Sequence, residues 1–190
     1  MNLFRRPHSP LASPVAFREF YERNRLSVFR YLYGLTGGPQ EDVEDLTAET
    51  FLRAWKARHR FQGDEASATG WLIRIAKRLV IDRYRRTSQE RRNPPDDPPE
   101  DPSPEQAVVF DEQTSFLFRL VAELPDEPRE IIVLRYLLGW RVNEIAGHIG
   151  ATQNNVSVTL HRTLSRLREK WDEGDALLSE AAFAPEETES

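Results

Sequence analysis

Hydrophobic residues before residue 93 recur with the period of an α-helix. A first helix ends at the pair Gly37-Gly38, Pro39 suits the first position of a second helix, and a third is predicted over residues about 69–86. The inward positions of the three helices are Phe17, Phe20, Tyr21, Val28, Tyr31, Leu32 and Leu35, then Val43, Leu46, Thr47, Thr50, Phe51, Ala54 and Trp55, then Trp71, Leu72, Ile75, Ala76 and Leu79.

The helical period returns in the second half of the chain. Pro125 and Gly139 punctuate predicted helices over 107–124 and 126–138, followed by helices over 142–149 and over 152 to about 171. The last helix carries an apolar stripe of Val156, Leu160, Leu164 and Leu167. Because no strand-like alternation of useful length competes, the fold class is predicted to be all-α.

Prolines and acids interrupt the pattern between the two helical segments. Residues 93–104 hold six of the 13 prolines, and residues 93–112 carry seven acids and no base. Proline removes backbone donors and the acids repel one another, so we expect an extended linker. The predicted organisation is a flexible N-terminus (1–14), a helical domain (15–92), an acidic Pro-rich linker (93–106), a helix-turn-helix domain (107–171) and an acidic C-terminal tail (172–190).

The charge is distributed unevenly along the chain. The formal net charge of −5 argues at first sight against a nucleic-acid partner, because phosphate is bound by clustered Lys and Arg. Residues 93–112 and 172–190 contribute seven acids each and no base, so the rest of the chain nets +9. Residues 51–92 alone hold 12 bases and 4 acids. A partner therefore meets a basic body with two acidic segments.

The spacing near the C-terminus is that of a helix-turn-helix. A small Ala146 allows a close helix crossing, Gly150 makes the turn, and Val156 pins the second helix onto the first. Amides, hydroxyls and a base on the outer face of the second helix could read DNA; an ordinary helical hairpin with a solvated face is the alternative. The candidate DNA-reading residues are Gln153, Asn154, Ser157, Val158, His161 and Arg162.

The second and third helices carry charges of opposite sign. Aromatic and basic side chains alternate in the third helix, as on a surface that stacks bases and neutralises phosphates, although Trp71 itself is favoured as a core residue. Acids at the start of the second helix favour the helix dipole, and their number also suggests a basic protein partner. The acids are Glu41, Asp42, Glu44, Asp45 and Glu49, and the candidate stacking groups are Phe61, Trp71 and Tyr84.

Little in the sequence points to catalysis. There is no phosphate-binding glycine loop, and the four histidines are scattered without ligand spacing, so no enzyme, cofactor or metal is predicted. The chain has no cysteine, which is compatible with a reducing cytoplasm. We expect a cytoplasmic protein without a signal peptide or membrane insertion.

The order of motifs resembles one family. An aromatic-rich first helix precedes the motifs, and an acidic linker and a long final helix accompany them. Over residues about 15–170 they resemble bacterial RNA polymerase sigma factors of the extracytoplasmic-function (ECF) group. The motifs are DLTAETFLRAW at 45–55, the basic stretch at 71–86, LP at 124–125, REIIVLR at 129–135 and EIA at 144–146.

This resemblance implies a non-catalytic initiation factor that binds core RNA polymerase at its β′ clamp helices and β flap, melts the minus-10 element and reads the minus-35 element as a duplex. An anti-sigma factor is a further expected partner. By resemblance, the polymerase meets Asp45, Glu49, Thr50, Arg53 and Trp55, the minus-10 strand meets Phe61, Trp71, Arg74, Lys77 and Arg78, and the minus-35 duplex meets the helix-turn-helix residues named above.

Four positions depart from the family pattern. Arg78 stands where members often have Asn, and Arg141 stands where the short helix usually opens with a Ser or Thr cap. Ser157 and Thr159 are neutral where members commonly carry bases. A helix-turn-helix regulator and a helical protein-interaction module remain as alternative functions. The family-like order through both domains counts against both alternatives.

Overall fold

The computed structural model describes residues 9–92 and 112–182, and every regular element in these ranges is helical. The prediction of an all-α fold is confirmed. The chain divides into two compact units, Met1–Val109 and Phe110–Ser190. The predicted linker, residues 1–8 and the end of the predicted tail lie outside the described residues.

The first unit is a three-helix bundle. Helices α1 (Pro14–Thr36), α2 (Gln40–Ala57) and α3 (Glu65–Arg92) each pack against the other two, and a 3₁₀ turn (Arg58–Arg60) follows α2. Burial of each large apolar side chain contributes about 1.5–3 kcal/mol, which makes this core the main source of stability. Its fully buried residues include Phe20, Val28, Tyr31, Leu32, Val43, Leu72 and Ile73.

The predicted helices differ from the observed ones mainly at their ends. Helix α3 starts earlier and ends later than predicted, because Asp64 caps its first turn and no proline stops it before Pro94. Pro39 is the residue before α2 rather than its first residue. In α3, Ile73 is buried and Ile75 is only half-buried, which reverses the predicted order of these two positions.

The segment before α1 is anchored from Ser9 onward, so the predicted flexible N-terminus needs correction there. Leu11 is 2% exposed, and the Ala12 carbonyl accepts a hydrogen bond from Arg58 Nε at 3.4 Å. Ser13 Oγ accepts the Ala16 N–H at 3.1 Å and caps α1. An apolar side chain in the bundle and a cap at the helix start hold the segment in place.

The second unit consists of α4 (Glu112–Ala122), α5 (Asp126–Ile132), α6 (Val142–Ile149) and α7 (Gln153–Ala182). A π-helical turn (Val133–Leu137) follows α5 and breaks the continuous helix predicted over 126–138. Helix α7 packs on α4, α5 and α6, and it extends past the predicted end at about residue 171. Leu164, predicted as buried, is half-buried.

Candidate functional site

One side of α2 presents acids around an apolar side chain. Asp45 is exposed, Leu52 is 45% exposed seven residues later, and Glu41 and Glu49 lie one turn to either side of Asp45. These four residues are called the acidic face. Leu52 was not among the residues predicted for polymerase contact, although its seven-residue spacing from Asp45 indicated the same side of the helix.

Two of the residues predicted for polymerase contact are engaged inside the first unit. The Thr50 side chain is fully buried and its hydroxyl donates to the Leu46 carbonyl at 2.7 Å, so its predicted contact is corrected to a packing role. Trp55 is half-buried, with its ring 5.1 Å from that of Phe17 and the Arg58 guanidinium 3.4 Å above it. Trp55 lies three residues after Leu52, a spacing that makes the two side chains neighbours on the surface of α2.

Arg53 joins α2 to α3. Its Nε donates to Glu49 at 2.8 Å and its Nη1 to Asp82 at 3.4 Å. The hydrogen bond to Glu49 is the main reason that the pKa of Arg53 lies above its usual value; burial opposes this effect and Asp82 adds to it. Arg53 thereby orients Glu49 within the acidic face and fixes the neighbouring helix beside it.

We expect Arg53→Ala to lower the free energy of unfolding by no more than about 1 kcal/mol, because the three side chains are 37–46% exposed and solvent screens the bridge. Urea denaturation of the full chain, followed by circular dichroism, measures this loss. Arg25→Ala is the control, since its pair with Glu22 is about 60% exposed (62% and 59%) and spans one helix. A loss no larger than that of Arg25→Ala would contradict the bridging role.

The bases of α3 are divided between two sides of the helix. On one side, Arg83 forms an ion pair with Asp42 of α2 at 2.5 Å. The positive charge of Arg83 is therefore balanced within the first unit. On the other side three exposed bases and one half-buried base surround Ile81, which is 39% exposed. This side is called the basic face and consists of Arg74, Lys77, Arg78, Ile81 and Arg85. The predicted minus-10 residues of α3 therefore lie together, apart from Trp71 at the edge.

An aromatic pair is packed at the turn before α3. Phe61 is 8% exposed, with its ring centroid 4.9 Å from that of Trp71. A Cβ on Gly63 would come 2.5 Å from the Phe61 ring, so only glycine allows this close approach. The Ser67 hydroxyl and N–H hold Asp64 and lower its pKa. Phe61 thus acts as packing in this structure, which corrects its prediction as a stacking group, and Trp71 is half-buried on top of it.

The second unit has the geometry of a helix-turn-helix. Gly150 ends α6 with φ +75° and donates to the Ala146 carbonyl, a left-handed conformation that favours glycine. Thr152 Oγ1 accepts the Asn155 N–H at 3.2 Å and caps α7. Val156 is fully buried against α6, while the predicted DNA-reading residues Gln153, Asn154, Ser157, Val158, His161 and Arg162 are exposed together.

The structure shows how α6 begins at Arg141, one of the departures from the family pattern, and it shows a buried carboxylate that the sequence did not indicate. Arg141 opens α6 without a capping side chain, and its N–H donates to Glu144 at 2.6 Å, which supplies one half of a capping box. Glu130 is 2% exposed, with a carboxylate oxygen 3.9 Å from Nε2 of His148. The Trp140 ring contacts His148 edge-on at 5.0 Å. His148 is therefore a packing residue.

Among the described residues, no helix combines the length and hydropathy needed to cross a membrane. Groups of three or more His, Asp or Glu placed to hold a metal ion are likewise absent from the described part of the chain. The surfaces above combine charged, hydrogen-bonding and exposed apolar side chains. Together with the helix-turn-helix, they are typical of a two-unit helical protein of the helix-turn-helix DNA-binding class.

Comparisons with known proteins identify the family. Residues 20–90 match Sigma-70 region 2 and residues 117–167 match Sigma-70 region 4. The chain is 31% identical over 162 residues to the ECF RNA polymerase sigma factor SigL of Mycobacterium tuberculosis, covering 83% of this chain and 89% of SigL. It is 32% identical over 163 residues to SigE of Mycolicibacterium smegmatis, where 83% of this chain matches 62% of the longer relative.

A solved structure shows the same fold. The sigma factor RpoE from Bartonella quintana, in complex with the anti-sigma factor NepR, aligns with a TM-score of 0.63 at 18% identity, over 80% of this chain and 94% of RpoE. The chain belongs to the ECF group of RNA polymerase sigma factors, and the resemblance stated from its motifs is confirmed.

Proposed function

We propose that this protein binds core RNA polymerase, recognises the minus-35 and minus-10 promoter elements and promotes DNA melting for transcription initiation. The observation that carries the proposal is the pair of exposed faces of opposite sign on neighbouring helices, acidic with Leu52 on α2 and basic with Ile81 on α3. One face suits a basic protein and the other suits nucleic acid. Family membership supplies the identity of both partners.

The acidic face is assigned to the β′ clamp helices and the basic face to the minus-10 strand. Melted DNA exposes unstacked bases and a phosphate backbone, which cationic and apolar side chains can contact together. Packing of α2 on α3 holds the two faces in a defined relation, and the Arg53–Asp82 pair adds a link between the two helices. Polymerase binding and strand capture would therefore act through one rigid pair of helices.

The second unit is assigned to the minus-35 duplex and the β flap. Residues 113–171 hold 8 bases and 6 acids, so their net charge is only +2. Ser157 is exposed and Thr159 is half-buried, and neither adds a charge where the family commonly has bases. Because phosphate contacts supply most non-specific affinity, this unit depends on the polymerase to hold it at the promoter.

An anti-sigma factor is the further partner that we propose, as in the RpoE complex with NepR. It would compete for the exposed faces described above. We assign the protein no catalytic step of its own, and we place its action in the cytoplasm, where RNA polymerase works.

In vitro transcription tests the proposed function. Core polymerase with the full chain is expected to make promoter-specific transcripts from a library of genomic fragments, and core polymerase alone is not. A protein that folds and binds core enzyme but yields no specific transcript would contradict promoter opening. Sequence-specific DNA binding without core enzyme, and without transcripts, would instead support a helix-turn-helix regulator. Binding to proteins alone would support an interaction module.

A further inference from the structure

Val158 is an apolar side chain exposed on the outer side of the helix-turn-helix. It is 39% exposed in the second turn of α7. The other exposed residues in this stretch are all polar or charged: Gln153, Asn154, Asn155, Ser157, His161 and Arg162. The side chain therefore stands alone as an apolar group within a polar surface.

Neither the packing of the unit nor the formation of α7 requires a valine at this position. Val156 and Leu160 already fill the side of α7 that packs on the rest of the unit, and Val158 lies on the opposite side. A β-branched residue also has a lower helix propensity than alanine, because its χ1 freedom is restricted in a helix. Neither packing nor helix formation accounts for an exposed valine there.

The neighbours of Val158 place it at the centre of the candidate reading surface. Asn154 and Arg162 lie one turn before and one turn after it, and His161 lies beside it, all exposed. These side chains can hydrogen-bond base edges or hold a phosphate on both sides of the valine. In the major groove, the apolar feature that distinguishes one base is the C5 methyl group of thymine.

We propose that Val158 is a specificity-determining residue that selects thymine in the upstream promoter element by contact with its methyl group. The inference rests on the proposed function, because it requires α7 to enter the major groove at a promoter. It also gives the weakly charged second unit a source of sequence preference that does not depend on phosphate contacts.

The test compares thymine with deoxyuridine, which lacks the methyl group. Holoenzyme made from core polymerase and the full chain first selects an upstream element from randomised duplexes. Each thymine of that element is then replaced by deoxyuridine, and binding of holoenzyme is measured. At one position the replacement is expected to weaken wild-type binding about fourfold. A loss of this size corresponds to the free energy gained when one methyl-sized group is buried.

Val158→Ala is expected to bind the thymine and deoxyuridine duplexes equally at that position. Alanine is a better helix former, so the variant keeps α7 intact. Val15→Ala is the matched control, since Val15 is 69% exposed at the start of α1, and it should discriminate as the wild type does. Three results would each overturn this inference and leave the proposed function standing. They are a selected element without thymine, equal wild-type binding to every deoxyuridine duplex, and unchanged discrimination by Val158→Ala. Failure to select any element would overturn the proposed function as well.

Discussion

Replacing Asp45 by lysine is expected to weaken the affinity for core RNA polymerase by at least about tenfold. Asp45 is exposed at the middle of the acidic face, on the same side of α2 as Leu52. Against a basic partner the substitution turns an attraction into a repulsion, and about 1.4 kcal/mol already corresponds to a factor of ten. Because the side chain is exposed, the three-helix bundle should keep its stability. Titration of labelled full chain with core enzyme, followed by fluorescence anisotropy, measures the affinity.

Glu44→Lys is the matched control for Asp45→Lys. Glu44 is an exposed acid of the same helix, and its carboxylate accepts a hydrogen bond from Gln40 at 2.7 Å. It lies about 100° around the helix from Asp45 and about 80° from Leu52, outside the acidic face, while the change in net charge is the same. Equal losses in the two variants would show a general charge effect and contradict the acidic face. Glu49 is a poorer site for this test, because its substitution also disturbs Arg53.

Replacing Arg78 by glutamate is expected to reduce open-complex formation by at least about tenfold while binding to core enzyme is retained. Arg78 is exposed in the basic face, between Arg74 and Ile81. The substitution removes one attraction to phosphate and adds a repulsion. Permanganate reactivity of unpaired thymines near the start site measures opening. The milder Arg78→Ala should lower the slope of log K against log salt concentration by about 0.7, the value for one lost single-strand phosphate contact.

Arg30→Glu provides the control for the basic face. Arg30 is an exposed base of α1, so the variant carries the same charge change on a different helix. We expect it to open promoters like the wild type. Loss of core binding by Arg78→Glu, or equal loss of opening by Arg30→Glu, would show that the basic face is not where the strand is held.

The sequence placed most of the helices and the helix-turn-helix, but it misjudged individual side chains. Helical period marks the side of a helix that turns inward, and this was enough for Val43 and Val156. It does not say how completely neighbouring segments cover a residue near the edge of that side. The helical period placed Thr50 inward, and it is buried. The family resemblance had assigned Thr50 and Phe61 to partner surfaces, and both are covered by the bundle and the turn before α3.

Contacts between distant positions were also outside the reach of local patterns. Arg53 and Asp82 are 29 residues apart, and each looks like an ordinary charge on its own helix. Leu11 lies in a short segment with no periodicity, so its burial was not expected. The π-helical turn at Val133–Leu137 has no distinctive composition, so the helical period predicted one continuous helix there.

The sequence by itself determined the helical class, the order of the helices, the separation of acidic from basic segments and the family. These properties follow from apolar spacing, proline positions and charge, which are local and additive along the chain. Only the tertiary structure decided which charges remain available to a partner. Arg83 and Asp42 neutralise one another inside the first unit, whereas Arg78 and Asp45 face outward, because the way α2 and α3 pack determines which side of each helix is covered.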